Sequence, residues 1–168
     1  LDLEVLSDIS YGLYALTVND NGRPTGCIIN TLIQVTSFEP IYMAISLNKD
    51  SYTNEVIKRT KKYGISILSV DTPREVIQRL GFASGRNRDK MGGIEYEDCN
   101  GLPRILENCT GFLCFDLVDH INVDTHDILI GKLVDTCVTD GEPMTYKYYH
   151  EVIKGKAPKS APTFLTNK

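Results

Sequence analysis

Apolar residues in this chain gather in short runs rich in Ile, Val, Leu, Phe and Tyr, separated by brief clusters of Asn, Asp, Gly and Pro. Runs of this length and composition predict strands more than helices. Residues 11–20 (YGLYALTVND) pass through the turn cluster NDNGRP into residues 25–31 (TGCIINT), a predicted hairpin. Further strands are predicted over residues 40–48, 63–70, 110–123 and 126–139. Only DT separates the last two, which favours a tight antiparallel pair.

Helical signals are fewer. Residues 50–62 (DSYTNEVIKRTKK) put Val56 and Ile57 on one face, with Asp50 or Ser51 as the N-cap. Residues 72–81 (TPREVIQRLG) predict a helix with a Thr72–Glu75 capping box, Pro73 in its first position and Gly81 at its exit. A short opening helix is read around LEVLSDI, and TYKYYH (145–150) suits either a helix face or an interface stripe. Between ASGRNRDKMGG and EDCNGLPRI the chain is glycine-rich and polar, which predicts a long loop; such loops are more often functional than accidental. Many antiparallel strands at short spacing with two or three inserted helices predict a closed or nearly closed β-barrel. One domain is expected over residues 1–155, followed by a basic, proline-bearing tail over 156–168 that reads as a linker or exposed terminus.

Composition narrows the class. A chain of 168 residues suits one domain with a sizeable core, burying about 70% of its unfolded surface. The 42% hydrophobic and 24% charged content is that of an ordinary globular protein. A net charge of -4 opposes nucleic-acid binding, which needs a basic face. No apolar run is long enough to cross a membrane as a helix, and the acidic opening LDLEVLSDIS lacks a secretory n-region, so a cytoplasmic location is expected. Leu1 in place of Met implies that the numbering begins inside a longer encoded chain. The five cysteines form no CxxC pair and read as reduced, packed thiols, and the three histidines lack zinc-ligand spacing, so no metal site is expected. GxGxxG and GxxxxGK[ST] patterns are absent, leaving Rossmann and P-loop nucleotide binding unsupported.

Candidate chemistry lies in three segments. NTLIQVTS (30–37) sets Asn30, Thr31, Gln34, Thr36 and Ser37 beside an apolar strand start. SLNKDSYTNE (46–55) ends a strand at Asn48 and Lys49 and starts a helix beside Ser51 and Thr53, where free N–H groups, hydroxyls and an ammonium make a phosphate site. FASGRNRDK crowds Arg86, Arg88 and Lys90 onto a glycine-containing loop. Together they suit a mononucleotide with a flat heterocycle, whose ring carbonyls and nitrogens would meet the amide and hydroxyl groups. Singly, each has a plainer reading: turn caps for NTLIQVTS, a surface lysine for Lys49, a solvated loop for Arg86, Arg88 and Lys90, and a strand cap for His126.

The sequence GCIINTLIQVTSFEP, then AISLNKDSYT, GFASGR and HDILIGKLVD, resembles the flavin reductase-like family with an FMN-binding split β-barrel, over residues 5–155. The likeness is to flavoredoxins, ferric reductases of this fold and the flavin domain of high-molecular-weight rubredoxins. The resemblance implies a mainly β, antiparallel, Greek-key-like split barrel with a few short helices. It implies FMN rather than FAD, and NAD(P)H as possible co-substrate. Asn30, Thr31, Gln34, Val35 and Thr36 would line the isoalloxazine. Ser46, Asn48, Lys49, Ser51, Tyr52 and Thr53 would hold the ribityl chain and phosphate, with Ser84 and Arg86 near the phosphate or a dimer-related flavin edge. His126 would stand where a nicotinamide or other acceptor approaches. A homodimer is implied, and the tail KGKAPKSAPTF resembles the linker to a rubredoxin in fused members, so a rubredoxin-like or other redox partner is expected. Some ferric-reductase relatives carry Cys where this chain has Ser46, which weakens the ferric-reductase reading specifically. Three activities follow as expectations: an NAD(P)H oxidoreductase delivering electrons to flavin, ferric iron or a redox protein; an FMN-bound carrier using NAD(P)H poorly; or a flavin-binding protein without turnover.

Overall fold

The computed structural model describes residues 1–163. Its centre is a seven-stranded antiparallel sheet built from β1 (Tyr14–Asp20), β2 (Arg23–Ile29), β3 (Leu32–Gln34), β4 (Tyr42–Asn48), β5 (Lys62–Leu68), β8 (Cys109–Val123) and β9 (His126–Val138). The order across the sheet is β2-β1-β5-β8-β9-β4-β3. Its two edge strands, β2 and β3, are consecutive in the chain and joined only through Asn30 and Thr31, so the sheet curls round on itself. One interior is shared: Leu16, Val18, Ile29, Ile45, Leu47, Tyr63, Ile65, Phe115 and Leu129 pack together with Val56 and Ile57 of α1 (Tyr52–Thr60). Two buried neighbours on α1, Val56 and Ile57, are what the sequence pattern placed on one face. The helix stops where Lys61 turns left-handed (φ 63°) and returns its N–H to the Ile57 carbonyl.

The predicted hairpins form as expected. Asn21 and Gly22 both take positive φ between β1 and β2, the geometry that matches the twist of a two-residue turn. At the other hairpin Asp124 does the same, and β8 pairs with β9 from Gly111↔Val138 to Val123↔His126.

Alternation along β1 explains a second core. Leu16 and Val18 face the barrel interior, while Ala15 faces outward yet is also buried. The outer layer over it holds Ile77 and Leu80 of α2 (Arg74–Gly81), Met91, Ile105 and Tyr149 of α3 (Tyr146–Glu151). On the same face Thr17 Oγ1 donates to the Pro103 carbonyl at 2.6 Å.

Several expectations change. The loop predicted between α2 and β8 contains a second small sheet, β6 (Tyr96–Cys99) paired with β7 (Leu102–Ile105) around Asn100 and Gly101, both at positive φ. Its strands are only four residues each, too short for a periodic signal. β3 was missed for the same reason. The capping box does not form: Pro73 occupies the N-cap, and Thr72 Oγ1 donates to the Ser69 and Asn108 carbonyls instead. The opening segment is a 3-10 turn, Glu4–Asp8. TYKYYH resolves as α3, with Thr145 Oγ1 accepting from Tyr148 N at 3.0 Å. All five cysteines are unpaired. Among the described residues no helix is long and apolar enough to cross a membrane, and no cluster of metal-ligating side chains occurs. Residues 156–163 of the expected linker lie against the barrel, and 164–168 are outside the described residues.

Candidate functional site

A cavity of about 550 Å³ opens between the end of β2, the end of β4, the first turn of α1 and the loop after α2. That is within the usual range for a cofactor site, about 300–1,000 Å³. Of the residues expected to bind, Asn30, Ser46, Asn48, Ser51, Tyr52, Thr53, Ser84 and His126 line it. A second cavity, also about 550 Å³, shares Ser46, Asn48 and His126 and adds Thr31, Ile33 and Val123. The register explains this sharing. Asn48 pairs with His126 and His126 with Val123; Ser46 pairs with Ile128 and Ile128 with Ile121. These side chains therefore stand in rows on one outer face of β4, β9 and β8, while Ile45, Leu47 and Leu129 point inward.

At the α1 end the sequence set three hydroxyl-bearing residues in a row, Ser51, Tyr52 and Thr53, and all three reach the cavity. Ser51 sits at the N-cap without using its side chain there, so its hydroxyl and the first free N–H groups of a nine-residue helix face the opening. Tyr52 is fixed from outside: its hydroxyl bonds Asp20, its ring lies under the Arg86 guanidinium at 4.7 Å, and Arg23 stands 5.4 Å from the ring centre. Asp20 also takes Arg59 at 2.6 Å, and these bonds, that from Tyr52 foremost, hold its carboxyl down to about 2.

The loop after α2 closes the wall. Arg23 Nη1 donates to the Gly85 carbonyl at 2.7 Å, and Gly85 lies so close to β2 that a Cβ there would come 2.2 Å from Thr25 Oγ1. Four residues on, Asp89 Oδ1 accepts from Met91 N and Gly92 N, turning the chain inward, and Met91 enters the outer core. Lys90 is carried in with it. Its side chain is 3% exposed, lines the cavity, and makes no hydrogen bond or ion pair among the described residues. Burial pushes its pKa below the usual lysine range. Burial raises the Cys27 thiol's pKa and the Lys90 charge opposes that, and both residues line the same cavity as Ser51 and Thr53. The solvated-loop reading holds for Arg86 and Arg88 but fails for Lys90. The signal available in the sequence was the apolar Met91 directly after it.

Other expected residues lie apart. Gln34 Nε2 donates to the Thr36 carbonyl at 2.8 Å, and Thr36 Oγ1 bonds the Pro40 carbonyl and Tyr42 N; both serve the β3–β4 turn, with Val35 exposed between them. Lys49 is exposed and its N–H donates to the Thr125 carbonyl at 3.1 Å. Arg86 pairs with Glu55 at 2.6 Å. None of these five lines either cavity.

A buried carboxylate braces the site from behind. Asp127, 1% exposed, accepts from Lys58 Nζ (2.5 Å), Asn54 Nδ2 (2.8 Å) and Asn122 Nδ2 (2.9 Å). Burial alone would raise its pKa, but these three donors outweigh it and hold the carboxyl down to about 2. Asn54 also reaches the Asn48 carbonyl, so α1, the end of β4 and the β8–β9 turn are tied at one point. Beside it, His126 Nδ1 bonds Thr125 Oγ1 at 2.9 Å, while its Nε2 is buried at the cavity wall with no partner among the described residues.

An antiparallel sheet that curls round one interior, with its two edge strands consecutive in the chain, is a split barrel. Residues 6–155 match the flavin reductase like domain, and the chain belongs to that family. It is 39% identical to the high molecular weight rubredoxin of Moorella thermoacetica over all of this chain and 74% of that one. It is 36% identical to the ferric-chelate reductase (NAD(P)H) of Archaeoglobus fulgidus, with both chains fully covered. Among solved structures, flavoredoxin from Methanosarcina acetivorans superposes with a TM-score of 0.70 at 20% identity, covering 80% of this chain and 74% of that one. Family membership makes this chain an oxidoreductase of flavin-linked electron transfer.

Proposed function

We propose that the protein holds FMN non-covalently in the first cavity, at the α1 N-terminus, and passes reducing equivalents from NAD(P)H to a free flavin, ferric iron or a redox protein. The observation that carries this reading is Lys90: a buried lysine with no ion-pair partner among the described residues lines the same cavity as the α1 N-terminus, an arrangement that an anion would complete. A phosphate monoester is such an anion. The His126 Nε2, without a partner among the described residues, and the cavity-lining hydroxyls of Ser46 and Ser51 supply hydrogen-bonding groups for a polar heterocycle and its ribityl chain. The residues present therefore fit FMN, with the phosphate cation supplied by Lys90 instead of Lys49.

FMN, when bound, supplies the redox chemistry; the chain binds, orients and shields it. Ser51, Thr53 and Lys90 would hold the phosphate. Asn30, Thr31, Ser46 and Asn48 would orient the ring edge, and His126, shared by both cavities, would face the incoming donor or acceptor. No side chain in the cavity stands as an acid–base pair, consistent with chemistry carried by the cofactor.

The working unit in this reading is a homodimer in the cytoplasm. Supporting the dimer is the outer face of β3, β4, β9 and β8, where Ile33 (58% exposed), Ile121 (53%) and Val123 flank the second cavity. A second copy burying that face would remove apolar surface that one chain leaves in water and would close the site.

The test is an absorbance spectrum of the purified protein, identification of the released cofactor, and anaerobic NADH and NADPH titration. FMN near one per chain, bleached rapidly by a nicotinamide, is the expected result. FMN that does not bleach supports instead a carrier served by a rubredoxin-like partner, a reading favoured by the relative of that name. A protein that takes up neither FMN nor FAD refutes both.

A further inference from the structure

The tail reads from its sequence as a linker, yet residues 156–163 form part of the cavity. Lys156, Pro158, Ser160, Ala161 and Pro162 line the first cavity, and Lys159 to Pro162 line the second, so this segment is the partition between them. Both its ends are fastened to α3. Tyr149 OH donates to the Lys156 carbonyl at 3.0 Å, and Gly155 N donates to the Tyr149 carbonyl at 2.9 Å. Gly155 also packs so tightly on the Tyr149 ring that a Cβ there would come 1.9 Å from Cζ. At the far end Thr163 Oγ1 donates to Tyr146 OH at 3.0 Å and accepts from Asn30 Nδ2 at 2.7 Å.

Between those ends the main chain joins no sheet. Its backbone bond there is internal, Ala161 N to the Pro158 carbonyl at 3.0 Å. A span tied at both ends and free in the middle can lift without breaking a strand ladder, and its prolines keep the entropy cost of reseating it low. Asn30 links it to the cofactor site. The residue is buried, and with the tail in place its Nδ2 is held by Thr163 while its Oδ1 accepts from Thr31 Oγ1 at 3.0 Å. With the tail in place Thr163 fixes which way the carboxamide points, and each of its two polar atoms keeps one further hydrogen-bonding position for a ligand.

We propose that residues 156–163 are a strap over the cofactor cavity, with Thr163 a positioning residue for Asn30, so that cofactor release requires the strap to lift. This rests on the FMN reading above. The experiment compares the intact chain with a truncation after Lys156 and with Thr163→Val, each loaded with FMN. FMN release is followed by the recovery of its fluorescence under dilution, and tryptic cleavage after Lys159 is followed with and without FMN. Release at least tenfold faster from the truncation, about threefold faster from Thr163→Val, and cleavage at least fivefold slower with FMN are expected. Should the truncation fail to fold, Thr163→Val and the cleavage rates decide. Release within twofold of the intact chain in the folded variants, with cleavage indifferent to FMN, overturns the strap while leaving the FMN site standing. An intact chain that takes up no FMN overturns both.

Discussion

Lys90→Met separates stability from binding because the two should move in opposite directions. In the flavin-free protein Lys90 is 3% exposed and has no ion-pair partner among the described residues, so the fold carries part of the desolvation of a charge. Methionine keeps an unbranched chain of similar length and removes the charge. An unsatisfied buried polar group costs about 1–3 kcal/mol, so the variant should be more stable by that amount. For a domain of this size the thermal midpoint rises about 2–4 °C per kcal/mol. Binding should suffer: a charge-assisted hydrogen bond to phosphate contributes about 1.5–3 kcal/mol, so FMN affinity should fall about 10- to 150-fold, whereas riboflavin, which lacks the phosphate, should bind unchanged. The pH dependence follows from the lowered pKa of Lys90. The unfolded chain holds that proton up to a higher pH than the folded one. Stability of the flavin-free protein therefore gains from this group as pH rises from the folded pKa to the unfolded lysine value, and the variant lacks the gain. Denaturant titrations of wild type and variant with and without FMN, plus fluorescence titration with FMN and riboflavin, measure all of these. A destabilised variant with unaltered FMN affinity would refute the reasoning.

Asp127→Asn takes the charged partner from Lys58, whose side chain is still one-third exposed, and a loss of about 1.5–3 kcal/mol is expected, the scale of a hydrogen bond to a charged group; a stability change under about 0.5 kcal/mol in urea titration would contradict it. Because the Asp127 carboxyl is held down to about 2, its contribution is complete above the ordinary carboxylate range and disappears as pH falls through about 2, which acid titration of both proteins checks. Tyr63→Phe should stabilise by about 1 kcal/mol, since the Tyr63 hydroxyl is buried in the barrel without a partner while its ring stacks on Phe115 at 5.0 Å; a lower thermal midpoint would mean that the hydroxyl is satisfied. The proposed homodimer predicts a dimeric intact chain in sedimentation that Ile33→Asp with Ile121→Asp converts to monomer; a monomeric intact chain refutes the dimer, and a variant that stays dimeric places the interface elsewhere.

Strand after strand was legible from the chain because β-branched and aromatic runs bounded by turn residues are local signals, and the Asn21–Gly22 and Asp124 turns needed nothing beyond their own residue types. The two hydroxyl-rich segments around Asn30 and Ser51 were legible too, since a polar cluster at the end of an apolar strand or beside a helix start stands out against its neighbours. Register and burial are not local. Whether Ser46 and Asn48 share a face with His126 depends on β4 pairing with β9 across almost eighty residues of chain, and only that pairing builds the cavity. Lys49 and Lys90 look alike as letters. One ends exposed after β4 and the other is drawn inside because an Asp89 turn and the burial of Met91 leave it no other course. The tail presents the same lesson: its prolines and lysines describe a solvated linker, and only α3, folded against the barrel, supplies the tyrosines that hold it over the site. Composition and pattern determined the type of protein; which lysine lines the cavity was decided by packing, because burial is a property of the whole fold.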